Sequence, residues 1–148
     1  VVYVADMRGS MHLVVTDLAS GESKDLTPDS QRTHESPKWS ADGKQIAFAS
    51  TRDDESGARS DIFAMNADGS DIRNLSRHPN EDFNPHWSAD GRQILFTSLR
   101  SGTAQIFSLD VASGETRRVT SNASHDMEHV PGPLAQHREP AESQTQRR

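Results

Sequence analysis

Pro37-Lys38-Trp39-Ser40-Ala41-Asp42-Gly43-Lys44-Gln45-Ile46-Ala47-Phe48 recurs almost unchanged as Pro85-His86-Trp87-Ser88-Ala89-Asp90-Gly91-Arg92-Gln93-Ile94-Leu95-Phe96. Trp39 and Trp87 stand 48 residues apart. Within each copy the pattern is that of a strand, a tight turn and a second strand. Asp42-Gly43 and Asp90-Gly91 supply the turn, where glycine accepts the positive φ that a short reversal needs. Ile46 and Phe48, or Ile94 and Phe96, alternate onto one face of the strand that follows. The likeness runs on downstream. Ser50-Thr51-Arg52 matches Ser98-Leu99-Arg100, Asp61-Ile62-Phe63 matches Gln105-Ile106-Phe107, and Asn74-Leu75-Ser76 matches Arg118-Val119-Thr120.

A third copy opens the chain. Val2 to Arg8 falls in the slot of Ile46 to Arg52, His12 to Asp17 in that of Gln105 to Asp110, and Lys24-Asp25-Leu26-Thr27 closes it. The tryptophan strand of this copy would precede Val1. Each full copy reads as four short strands, with Ser20-Gly21, Asp68-Gly69 and Ser113-Gly114 turning strand three into strand four. Four antiparallel strands repeating every ~40–50 residues is the period of a propeller blade. The expected architecture is all-β: a partial β-propeller of about three four-stranded antiparallel blades. The repeats span residues 1–127, divided as an incomplete blade over 1–33, a second over 34–82 and a third over 83–127. One small sheet cannot bury both faces, so blades stack and share a core. Trp39 and Trp87 are read as packing residues between blades, and Asp42, Gly43, Asp90 and Gly91 as turn residues.

After Met127 the pattern breaks. Residues 128–148 are polar, rich in Pro, Gln and Glu, and read as a disordered tail. A natural tail and a frameshift that lost the next tryptophan strand both account for the break. Val1 begins directly in a strand-like run, with no initiator Met and no basic leader, as in a chain cut from a longer one or a mature or incomplete product.

Composition agrees with thin sheets and many solvated turns: 32% of residues are hydrophobic and 5% aromatic. The formal net charge is −6, from 16 basic and 22 acidic residues, which disfavours nucleic acid as the partner. The absence of cysteine excludes disulfides and thiolate chemistry. No run approaches the ~20 apolar residues of a membrane span.

The motif Trp-Ser-Ala-Asp-Gly-Lys/Arg-Gln-Ile, then Ser-x-Arg, Ile-Phe, Asp-Gly or Ser-Gly, and Leu-Ser or Val-Thr, resembles the TolB-like, WD-like β-propeller repeat. The resemblance covers Val1 to about Asp126. It implies a closed form that is usually six-bladed, and a periplasmic or otherwise extracytoplasmic location. Three blades leave two blade faces uncovered, so the expectation is either the remainder of a longer propeller or self-association of two copies.

Chemistry-bearing motifs are sparse. Gly-x-Ser-x-Gly, Ser-x-x-Lys and Gly-x-Gly do not occur, and no catalytic residue, metal or cofactor is assigned. The seven histidines are scattered; His125 and His129 are four apart, but their surroundings are not helical. What remains is a loop face. Arg8, Arg52 and Arg100 occupy equivalent places at the end of strand two and would form an arc there. His34, Glu35, Asp82 and Asn84 are placed on the incoming loops beside them. The same arginines also suit pairing with loop carboxylates that hold blades together. Asp53 to Ser60 is an acidic insertion, against only Ser101 to Ala104 in the next copy. The expected role is a non-catalytic scaffold that binds a protein partner. Two alternatives stand beside it: the propeller domain of a prolyl oligopeptidase-like serine peptidase whose catalytic domain lies elsewhere, and a small-molecule- or sugar-binding propeller.

Overall fold

A computed structural model describes residues 1–7, 9–28 and 30–121. Eleven strands run in chain order, with no helix among the described residues: β1 (Val2–Met7), β2 (Ser10–Thr16), β3 (Ser23–Asp25), β4 (His34–Trp39), β5 (Gln45–Ser50), β6 (Asp61–Asn66), β7 (Arg73–Asn74), β8 (Asp82–Trp87), β9 (Gln93–Ser98), β10 (Gln105–Asp110) and β11 (Thr116–Arg118). They form three antiparallel meanders, β1-β2-β3, β4-β5-β6-β7 and β8-β9-β10-β11. Every strand pairs with its sequence neighbour, as short hairpin turns dictate. The expected tail over 128–148 lies outside the described residues, as does Arg8. Asp82 is the first residue of β8, so it belongs to the third sheet and not to the second, where the repeat boundary had put it.

The repeated motifs act as local devices. The Ser40 hydroxyl donates to Asp42 Oδ1 at 2.7 Å and accepts from the Gln45 amide at 3.0 Å, while Asp42 Oδ1 accepts from the Lys44 amide at 3.1 Å. Ser88, Asp90, Gln93 and Arg92 repeat this arrangement, in the same order, at 2.6, 2.9 and 3.1 Å. Gly43 and Gly91 sit at φ of 68° and 70°. The Ser or Thr that ends each copy has a role composition did not reveal. Thr27, Ser76 and Thr120 each accept, through the hydroxyl, the amide of the first buried apolar residue of their third strand: Leu13, Ile62 and Ile106, all at 3.0 Å. The fourth strand is too short to do this with its own carbonyls.

Alternation along the strands gives the second sheet two different faces. Ile46, Phe48, Phe63 and Met65 point toward the first sheet and meet Leu13 and Leu26, with Trp39 half-buried at the margin. Phe48 and Phe63 lie opposite each other in register and stack with centroids 5.7 Å apart. The other face, Ala47, Ala49, Ile62 and Ala64, is mostly small. It receives Trp87, Ile94, Phe96, Phe107 and Leu109 of the third sheet. Small residues against large ones let two sheets interdigitate without voids. Each large side chain so buried contributes about 1.5–3 kcal/mol.

The sheets splay like blades. The edge strands β4 and β8 pack together, and no comparable contact joins β7 to β11. Trp87 Nε1 donates to the carbonyl of Lys38 at 3.1 Å, and the Ser36 hydroxyl donates to Asn84 Oδ1 at 3.2 Å. Ser36 and Asn84 are themselves equivalent, with φ of 50° and 52°, at a bulge just before each proline. Among the described residues, Gly69 is the turn glycine packed against backbone of a neighbouring sheet. A Cβ there would come within 3.2 Å of the Leu26 carbonyl oxygen in the neighbouring sheet.

The turn aspartates make stability sensitive to acid. The Ser40 hydroxyl foremost, with the Lys44 amide, holds the Asp42 carboxyl below its ordinary value of 3.8, and Ser88 and the Arg92 amide do the same for Asp90. Asp17, Asp68 and Asp110 are lowered likewise. A carboxyl with a depressed folded pKa contributes stability above its unfolded pKa and loses it as pH falls through the folded value. Urea midpoints are therefore expected to drop as pH falls below about 4. The drop should be shallower in an Asp42→Asn/Asp90→Asn double variant; equal slopes would remove these turns as the cause.

Candidate functional site

The loops that follow the second strands, with those that enter the first strands, gather at one end of the sheets. His34, Glu35, Asp82 and Asn84 are not in these loops. They belong to β4 and β8, where His34 pairs with Ser50 and Asp82 with Ser98. The first strands begin earlier than the tryptophan motif suggests, because the bulge at Ser36 and Asn84 interrupts the alternation that marks a strand. His34 and Asp82 are both fully buried. Glu35 is exposed, and Asn84 is half-buried.

The equivalent arginines have different surroundings. Arg100 turns inward. Its Nη2 donates to Asp82 Oδ2 at 2.7 Å and its Nε to the Ser98 hydroxyl at 2.8 Å. Its guanidinium carbon lies 5.3 Å from the Phe96 ring centre and 4.8 Å from that of Phe107. The planar guanidinium thus serves as ion-pair partner and aromatic stacker at once. Burial pushes the Asp82 carboxyl above its ordinary value, against the pull of Ser98, Ser76 and Arg100. Among the described residues its Oδ1 has no hydrogen-bond partner.

Arg52 is exposed. The slot that Asp82 fills in the third sheet is filled in the second by His34. That imidazole packs edge-on against Phe48, with centroids 5.7 Å apart, and shares a 2.7 Å hydrogen bond between Nε2 and the Ser30 hydroxyl. Burial first, then the charge of Arg52, lowers its pKa to about 4. It is neutral at physiological pH and offers Arg52 no counter-charge.

The acidic insertion is a built loop. Asp54 Oδ2 accepts from the Ser56 hydroxyl and from the amides of Ala58 and Arg59, the latter two at 2.8 and 3.1 Å. Its Oδ1 takes Arg59 Nη2 at 3.0 Å, and Arg59 Nη1 donates to the Pro79 carbonyl at 2.8 Å. The Ser56 hydroxyl foremost, with the Ala58 amide, holds the Asp54 carboxyl well below the usual range. The loop is thereby tied to the segment entering the third sheet. Asp61 gathers Asn74 Nδ2 at 2.8 Å and the His78 amide at 3.1 Å beneath it. Arg32 also reaches this face and had not been singled out; the signal for it was a cation on the segment entering β4. Among the described residues, no group of three or more His, Asp or Glu side chains is placed to hold a metal ion.

Antiparallel meanders stacked face to face, meeting along their first strands and carrying a loop cluster at one end, define a β-propeller scaffold. The chain belongs to the TolB beta propeller domain family, whose model matches residues 1–133. Among solved structures it is similar to TolB from Acinetobacter baumannii, with 22% identity and a TM-score of 0.70 over 85% of this chain and 30% of that one. It is also similar to a putative TolB from Agrobacterium tumefaciens, with 22% identity and a TM-score of 0.69 over 79% and 43%. An oligogalacturonate lyase in complex with manganese matches at 23% identity, with a TM-score of 0.58 over 79% and 32%. The chain spans less than half the length of these proteins, and likeness at this identity shows the fold alone. No curated protein matches.

Proposed function

We propose that the chain is a non-catalytic, polypeptide-binding propeller module that works outside the cytoplasm, in the periplasm, as part of a longer propeller or a self-associated ring. The observation that carries this reading is the insertion over 53–60. It is exposed and acidic, yet braced internally by Asp54 with Arg59 and fixed to the scaffold at two points, Arg59 to the Pro79 carbonyl and Asp53 to the Asn74 side chain. A loop held in one conformation loses little entropy on binding, which is what a recognition surface on a rigid scaffold requires. Membership in the TolB propeller family supports the extracytoplasmic setting.

Selection of a displayed peptide library on the immobilised chain tests the reading. Peptides so retained are expected to be lost when residues 53–60 are replaced by the Ser-Gly-Thr-Ala of 101–104. Their amide-exchange protection should centre on 53–60 and 77–81. Peptides held equally well by the loop-replaced variant would overturn the proposal.

A further inference from the structure

Repeat equivalence exposes an unbalanced charge. Asp82 neutralises Arg100 within the third sheet. Its counterpart His34 is a buried, neutral imidazole, and Arg52 forms no ion pair or guanidinium hydrogen bond among the described residues. Arg32 has none either, although it lies close enough to Gly57 of the insertion that a Cβ there would sit 3.3 Å from its Nη1. Both arginines line one cavity of about 500 Å³ between the first and second sheets. Leu26 and Ile72 supply an apolar wall, and Thr27 and Ser30 add hydroxyls.

Among the described residues, the acids Asp25 and Asp53 beside this cavity are already engaged. Asp25 pairs with His12 Nδ1 at 2.7 Å and accepts the Thr27 amide at 2.9 Å. Asp53 accepts from Asn74 Nδ2 at 2.9 Å. Two guanidiniums without a counter-ion among the described residues, in a concave site with one apolar side, match an anion that is polar at one end and aliphatic at the other. A guanidinium fork takes a carboxylate in two parallel hydrogen bonds. The apolar wall favours an organic acid over a hydrated inorganic anion.

We propose that this cavity is a carboxylate-binding site in which Arg32 and Arg52 are the counter-ions and Leu26 and Ile72 contact the aliphatic part of the ligand. The inference rests on the loop-face reading only for the source of the carboxylate, which there is a chain end or acidic side chain of the bound polypeptide.

The test is a titration of the ¹⁵N-labelled chain, following backbone amides and arginine Nε–H signals. The probes are N-acetyl-leucine for a chain end, N-acetyl-glutamate α-amide for an acidic side chain, succinate for a free organic acid, N-acetyl-leucinamide and inorganic phosphate. At least one of the three carboxylates should saturate shifts at Arg52, Arg32, Thr27 and Ser30, and the tightest of them names the source. N-acetyl-leucinamide should leave those signals in place. Arg52→Gln and Arg32→Gln should each weaken binding roughly tenfold or more, and Arg52→Lys should restore part of it. Arg52 is exposed and neither guanidinium has a partner among the described residues, so these variants keep the fold, as their spectra will show. Equal shifts with N-acetyl-leucinamide, tighter binding of phosphate, or unchanged affinity in both Gln variants would overturn the site. Carboxylate binding that survives when loop-dependent peptide capture fails would remove the polypeptide reading alone; the converse would remove this site alone.

Discussion

Replacing Trp87 with alanine is expected to lower unfolding free energy by about 3–5 kcal/mol. Trp87 is 5% exposed and fills the contact between the alanine-rich face of the second sheet and the third sheet. Truncation removes that contact and the hydrogen bond from Nε1 to Lys38. Ala47, Ala49 and Ala64 are too small to close the gap, so the cavity persists. Trp87→Phe should recover much of the loss, because an aromatic ring remains and only the indole hydrogen bond and part of the volume go. Leu18, 82% exposed, is the control: Leu18→Ala should stay within about 0.5 kcal/mol of the parent. Urea titration of the variants decides it. A Trp87→Ala variant no less stable than Leu18→Ala would mean that the second and third sheets are not held together by this core.

Asp82→Ala should destabilise the chain by about 3–5 kcal/mol, the cost of leaving a buried charge without its partner. Arg100 would remain over the Phe96 and Phe107 rings with only Ser98 as acceptor. A second substitution separates this cost from the worth of the pair. Burial is the leading influence on Asp82 and pushes its carboxyl upward, so desolvation outweighs the attraction that Arg100 supplies. Asp82→Ala/Arg100→Leu, which removes both charges, should therefore recover most of the lost stability. If the double variant is as unstable as the sum of the two single ones, the pair is not energetically coupled and the account of Arg100 falls.

Much of the fold was legible because its determinants are local and repeated. Ser-x-Asp-Gly closes a turn through side-chain hydrogen bonds within five residues, so its copies announce equivalent hairpins wherever they stand. Of the two repeated tryptophans, Trp87 fills the contact between the second and third sheets, whereas Trp39 is half-buried at the margin of the contact with the first. The starts of the first strands were hidden. The bulges at Ser36 and Asn84 break the two-residue alternation, and polar His34 and Asp82 before them resemble loop residues. The terminal Ser or Thr of each copy looked like the end of a strand; its acceptor role toward an amide fourteen residues earlier becomes visible only across the sheet.

By itself, then, the sequence determined the repeat, the turns, the strand order and the faces that must be buried, since these depend on spacing and on contacts close in the chain. The tertiary structure alone decided which equivalent arginine is satisfied and which is not. Arg52 and Arg100 follow the same Ser-x-Arg pattern, and nothing within that pattern tells them apart. They differ because the residue that opens the first strand of each sheet, 18 positions earlier, is a buried neutral His34 in one and a buried Asp82 in the other. Only folding brings that residue against the arginine, and so leaves one cation facing an open cavity.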